Sequence, residues 1–184
     1  MFRPGRIEGV ALLAVLLLTA TAYGEGGQRH APAALRPHQT PRILTAEEAT
    51  PRYPSFQRSP AEIVYSGDGS ALLAGRGSGP SRPPARLSSW LKWLSWTSTE
   101  AHGSGADWHD NCVPDCATGT YYPYSAAVRA YRPRDLGGYL LYTRLTVTYA
   151  GARPPYPAYR KGFITFKLVY TAKPESFGWT YRGG

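Results

Sequence analysis

Hydrophobic and polar residues alternate most clearly from Tyr139 to Tyr149. Tyr139, Leu141, Thr143, Leu145, Val147 and Tyr149 fall on one side, and Leu140, Tyr142, Arg144, Thr146 and Thr148 on the other. A period of two is that of a half-buried β-strand. Phe163 to Thr171 repeats it, with Ile164, Phe166, Leu168 and Tyr170 predicted to face inward and Thr165 and Lys167 outward. Glu62 to Ser66 predicts a short strand closed by the turn Gly67-Asp68-Gly69, with Ala71 to Leu73 continuing after it. Ala126 to Arg132 predicts a strand with Val128 and Ala130 inward, and Gly137-Gly138 the turn that follows.

Ser88 to Ser98 fits two periods. As a strand it places Leu91, Trp93, Ser95 and Thr97 on one face and Lys92, Leu94 and Trp96 on the other. As a helix it lines up Trp90, Trp93, Leu94 and Thr97. The density of Trp, Ser and Thr favours the strand.

The remaining stretches show no sustained period. Gly24 to Tyr53, rich in Pro, Gly, Arg and Ala, reads as a disordered tail or linker; Thr45 to Glu48 offers a short helical turn that Pro51 stops. Arg76 to Arg86, Ala101 to Pro114 and Ala152 to Pro157 read as loops. Short strands separated by Pro and Gly turns predict an all-β fold, an antiparallel β-sandwich or partly open barrel, as one domain over residues 54–184. No internal repeat is evident.

The N-terminus changes the setting of this domain. Arg3 and Arg6 precede an apolar run, Val10 to Leu18, and Ala20-Thr21-Ala22 supplies a small-x-small cleavage site. Residues 1–23 therefore read as a secretory signal peptide rather than a spanning helix, for which the run is too short. The expected location is secreted, extracellular or cell-wall associated. With the leader cleaved, no second apolar stretch of spanning length follows.

The formal net charge is +9 over 184 residues. Such an excess attracts anionic or glycan wall polymers. The cations are scattered and mostly arginine, without the like-charged block of a nucleic-acid tract, so no nucleic acid is expected as partner. Oligomeric state has no signature in the chain. The 14 tyrosines and 5 tryptophans suit both strand faces and sugar stacking.

Candidate chemistry concentrates between His102 and Tyr124. Cys112 and Cys116, close together in an exported chain, predict a disulfide that fixes one loop. Zinc bound by His102, His109, Cys112 and Cys116 is the competing reading, disfavoured by the cysteine spacing. Asp107, Asp110, Asn111 and Asp115 offer oxygen donors for calcium but suit turns better. Catalytic readings pair His102 or His109 with Asp107 or Asp110, with Ser104 as nucleophile, or set Asp68 against Asp107 or Glu100; no sequence motif supports either. No cofactor or metal is expected. Trp108, Asp110, Tyr121, Tyr122 and Tyr124 are the predicted binding residues, an aromatic platform beside the disulfide.

Three stretches carry a resemblance: Ala61 to Ser70; Trp93 to Ser98 running into Glu100-Ala101-His102-Gly103-Ser104-Gly105; and Asn111 to Gly119. In these the chain is similar to a group of small secreted or membrane-associated actinomycete proteins. The resemblance spans about Pro60 to Tyr149. It implies export, paired cysteines and a single domain, and it carries no activity or catalytic residue. The expected function is a non-catalytic cell-envelope domain that binds a surface or ligand through Asp107 to Tyr124. The alternative is a hydrolase of a wall component using His109 and an Asp.

Overall fold

A computed structural model describes residues 39–46, 48–49, 55–77, 79–80 and 90–181. The signal peptide and most of the expected tail lie outside the described residues. Strands run in the order β1 (Ile43–Leu44), β2 (Glu48–Ala49), β3 (Phe56–Gln57), β4 (Ile63–Val64), β5 (Ala71–Ala74), β6 (Lys92–Trp96), β7 (Glu100–Asp110), β8 (Tyr121–Leu136), β9 (Tyr139–Tyr149), β10 (Phe163–Ala172) and β11 (Glu175–Tyr181). The fold is nearly all-β, a curled antiparallel sheet that forms a half-barrel. Its order is β2-β11-β10-β9-β8-β7-β5-β4, with β6 pairing to β7 beside β5. The small β1–β3 sheet supplies Ile43, Leu44 and Phe56 to the same core.

Alternation sets the two faces of the sheet. Ala101 on β7, Ala126, Val128 and Ala130 on β8, Leu145 and Val147 on β9, Ile164, Phe166 and Leu168 on β10, and Phe177 and Trp179 on β11 are buried in one cluster. Each large side chain buried there stabilises the fold by about 1.5–3 kcal/mol. Gly137 and Gly138 both have positive φ and form the two-residue connection that sets Leu136 opposite Tyr139. Strands are present within each of the stretches expected at 62–66, 71–73, 88–98, 126–132, 139–149 and 163–171, the first as Ile63–Val64 and the third as Lys92–Trp96.

Several expectations are corrected. Ile43 and Leu44 are fully buried, so the folded part reaches N-terminal to Pro54. Glu48–Ala49 is a strand, with Glu48 paired to Gly178 on β11, so Glu48 is extended rather than part of a helical turn. In β6 the pairing slips between Trp93 and Ser95. One extra residue there, Leu94, turns Trp96 to the same side as Trp93, and the two rings meet at 4.6 Å. Strict alternation would have separated them.

The largest correction is Ala101 to Asp110, expected as loop but part of the central strand β7. β8 also extends well beyond Ala126 to Arg132. Pro123 precedes the start of β9 pairing at Ala126, and Pro133 follows the end of β7 pairing at Tyr131. Each proline thus sits where β8 has a single neighbour, the kind of position at which a strand tolerates proline.

Gly105 lies where β7 passes from β5 to β6. A Cβ there would overlap the Ala74 carbonyl oxygen and come within 2.8 Å of Leu91 Cδ2. Gly105→Ala is expected to destabilise the fold by about 1–3 kcal/mol. Gly151→Ala, whose Cβ would meet nothing within 4 Å, is expected to stay within about 0.5 kcal/mol. Urea unfolding of the two variants checks this; equal midpoints would disprove the tight crossing.

Candidate functional site

β7 carries Asp107 and His109 two residues apart, so both point to the concave side. Their partners on β5 are Leu73 and Ala71, and on β8 Tyr124 and Tyr122. Asp107 is completely buried. A buried carboxylate is tolerated where donors replace its water. Here Oδ1 accepts from the Tyr65 hydroxyl, and Oδ2 accepts from the Tyr149 hydroxyl and from His109 Nε2 at 3.0 Å. Tyr65 follows β4, and Tyr149 ends β9, so one carboxylate ties three separate strands together.

The network also assigns the imidazole proton. Tyr65 has one hydrogen, and it goes to Asp107. Its oxygen, 3.1 Å from His109 Nε2, can then only accept. Nε2 faces two acceptors and must carry a hydrogen, which leaves Nδ1 as the acceptor of the neutral ring. Nδ1 has no hydrogen-bond partner among the described residues. Three rings fix the imidazole plane: Tyr159 at 5.1 Å, Tyr156 at 5.7 Å and Tyr124 at 6.0 Å. Tyr156 and Tyr159 come from a single 3₁₀ turn, Pro157–Tyr159, and the residue before it.

His109 lines a cleft of about 1020 Å³. Tyr65, Tyr156, Tyr159, Phe166, Trp179 and Tyr181 make its aromatic walls, and Ser66 to Ser70 form one rim. Among the described residues the lining contains no Lys or Arg, and Asp68 is its one carboxylate. Asp68 is occupied in the turn, accepting from the Ser70 N–H at 2.9 Å; the Ser70 hydroxyl, and after it this N–H, hold its carboxyl below the usual range.

The predicted binding residues divide between the two faces. Trp108 and Asp110 are each 3 % exposed. Both, with Tyr121, lie on the face opposite Asp107 and His109. Trp108 packs with Ala74 and Ala106 and donates its indole N–H to the Gly75 carbonyl at 3.0 Å. Asp110 accepts from the Cys112 N–H at 2.9 Å. Tyr122 and Tyr124 are on the concave side, Tyr122 exposed and Tyr124 half-buried against His109. These five residues do not form an exposed aromatic row, because the strand period sends neighbours to opposite faces.

Cys112 and Cys116 are bonded to each other. His102 sits ten residues before Cys112, on the order of 30 Å along an extended chain, and bridges to Glu100 at 3.1 Å. The four zinc candidates therefore do not converge. Asp115 accepts from Ala117 N, Thr118 N and Thr118 Oγ1, and Asn111 Oδ1 from Val113 N and Thr120 N. These side chains serve turns, and Asp110 lies on the face opposite Asp107. Among the described residues no group of His, Cys, Asp and Glu is placed to hold a metal ion. Ser104 pairs with Lys92 on the side away from His109, and Glu100 is engaged by Arg129 at 2.7 Å.

The disulfide loop acts on the cleft indirectly. Asp110 N–H donates to the Ser70 carbonyl at 2.8 Å, and the Tyr121 hydroxyl to the Gly69 carbonyl at 2.8 Å. Both bonds hold the Gly67–Ser70 turn, which is the rim of the cleft. The spacing Asp-x-His was a signal for Asp107 and His109. Tyr65, Tyr149 and Tyr159 had none, since each comes from a distant segment. No family model, curated protein or solved structure matches this chain.

Burial, and after it the Asp107 charge, push the Tyr65, Tyr149 and Tyr159 phenols far above their ordinary range. In the unfolded chain these phenols ionise near pH 10. Folding keeps them neutral, so their contribution is complete below about pH 10 and is lost as the pH rises further. Guanidinium unfolding from pH 7 to 12 is expected to show stability falling above about pH 10, less steeply in Tyr149→Phe. A pH-independent midpoint would contradict this. At pH 7, Tyr149→Phe and Tyr65→Phe are each expected to lose about 1–3 kcal/mol. The pair is expected to be non-additive, because both donate to one carboxylate; additive losses would mean that the shared acceptor does not couple them.

Proposed function

We propose that this protein is an exported cell-envelope domain that binds a neutral, ring-containing glycan in the cleft beside His109. The observation that carries this reading is the lining itself: aromatic walls around one imidazole acceptor and a polar rim, without cations among the described residues. Aromatic faces stack on the apolar faces of sugar rings, and a few fixed polar groups orient the hydroxyls. His109 Nδ1 accepts from a ligand hydroxyl, while Asp107 holds the ring from the other side. Export is supported by the leader-like N-terminus, and an oxidised cysteine pair suits an extracellular or cell-wall setting. The disulfide loop, expected to be the binding surface, takes the role of a brace for the cleft rim.

A second reading, hydrolysis of a wall component, is favoured by the Asp107–His109 pair, whose Nδ1 could take a proton from water. Against it, the one hydroxyl within hydrogen-bond reach of His109 among the described residues belongs to Tyr65, which already donates to Asp107. Ser66 Oγ is engaged by Ala71 N at 2.7 Å. No activated nucleophile stands beside the base.

A glycan array followed by calorimetry tests both. Neutral oligosaccharides are expected to bind, and Tyr181→Ala or Tyr156→Ala, both exposed in the lining, to weaken binding about ten-fold or more, the scale of one lost stacking contact. Binding that survives both substitutions would refute the cleft. Release of shorter products that stops in His109→Gln would establish the hydrolase instead.

A further inference from the structure

A second cleft, of about 440 Å³, opens where the sheet forks. β9 pairs with β10 only over Arg144 to Thr148, the last pair being Arg144 with Lys167. Nearer its start, β9 pairs instead with the N-terminal segment, Arg42 bridging Leu141. The two strands diverge after that last pair, and β8, on the far side of β9, also contributes to the lining. Arg132 and Arg134 from β8, Arg144 from β9 and Lys167 from β10 line the opening. It shares no lining residue with the aromatic cleft.

This arrangement breaks the usual pairing of charges. Arg144 and Lys167 stand directly opposite each other on adjacent strands, where like charges repel. Two further arginines add to the same opening. Among the described residues none of the four has a carboxylate within salt-bridge distance; the ion pairs present involve Glu100 with His102 and Arg129, and Asp107 with His109. Arg144 Nη1 reaches the Thr143 carbonyl at 3.1 Å, which leaves most of its donors open. Tyr170, which also lines the opening, donates its hydroxyl to Glu175 at 3.4 Å. Thr143 donates to the Arg132 carbonyl at 2.7 Å, and this bond fixes the arginine's backbone at positive φ.

We infer that the fork formed by Arg132, Arg134, Arg144 and Lys167 is a binding site for a compact oxyanion, a phosphate or diphosphate group, either free or carried on a polymer. Guanidinium groups meet such oxygens two at a time, and the anion neutralises the opposed charges that otherwise repel. The opening is too small for the many phosphates of a duplex, and the site holds one or two groups. It is independent of the glycan reading of the other cleft.

The test uses the full chain with inorganic pyrophosphate, poly(glycerol phosphate) and neutral dextran, read by calorimetry and thermal unfolding. Pyrophosphate is expected to bind at one site per chain and to raise Tm, through preferential binding to the folded state. Affinity is expected to fall at least ten-fold in Arg144→Gln/Lys167→Gln. That variant, freed of the repulsion, is expected to unfold at an equal or higher temperature than the parent without ligand, which separates a lost site from a lost fold. Tighter binding per phosphate by the polymer identifies the carried group as the ligand; equal binding identifies the free one. No shift in Tm with millimolar pyrophosphate, or the same shift in the variant, overturns the proposal. Stronger binding to a single-stranded DNA oligomer that depends on the same residues overturns it in favour of nucleic acid.

Discussion

The Asp107 carboxylate is completely buried and has three donors. It accepts from Tyr65 after β4, from Tyr149 at the end of β9 and from His109 on its own strand. A buried charge is stable only where its hydrogen bonds are complete, so these segments must arrive together. Around this point the half-barrel takes up its curvature, and the aromatic walls of the cleft are the same residues or their packing partners. Tyr65 stacks on Phe166 at 4.5 Å, and Tyr149 lies 5.9 Å from Tyr159. The polar network and the apolar core are therefore parts of one structure, with the imidazole at their boundary.

Two concave features of opposite chemistry result from one sheet. Where β7, β10 and β11 meet around the Asp107 network, the opening is aromatic and, among the described residues, lacks cations. Where β9 changes partner, the opening is cationic. The scattered arginines that gave the chain its net charge of +9 are thus not uniform over the surface. Arg129 is neutralised by Glu100, while Arg132, Arg134 and Arg144 gather at the fork. Arg129 lies opposite His102 on β7, whereas Arg132 and Arg134 lie beyond the end of β7 pairing at Tyr131.

The disulfide loop shows how a local feature acquires a role from its surroundings. Cys112–Cys116, Asp110, Asn111 and Asp115 form a self-contained turn held by their own backbone bonds. Gly119 completes it, since a Cβ there would overlap the Asp110 carboxylate. Two bonds then carry that rigidity to the Gly67–Ser70 rim. The residues proposed for binding by their type, Asp110 and Tyr121, are the ones that position this rim.

Alternation by itself determined the all-β class, the faces of Tyr139–Tyr149 and Phe163–Thr171, and the glycine turn between β8 and β9. Those properties depend on neighbours within a few residues, and a period of two reports them directly. The paired cysteines were equally legible, being four positions apart. Tertiary structure alone decided β7. Gly103-Ser104-Gly105 and Asp107-Trp108-His109-Asp110 carry the composition of a loop, yet they form the central strand. The glycines make room for the Trp93 ring and the Ala74 carbonyl, and the polar side chains find their donors on other strands. A polar residue is compatible with the core only through partners that folding brings to it, and those partners, Tyr65 and Tyr149, lie 42 residues away on either side. That separation is why the candidate site could not be read from the chain, although both of its central residues were in view.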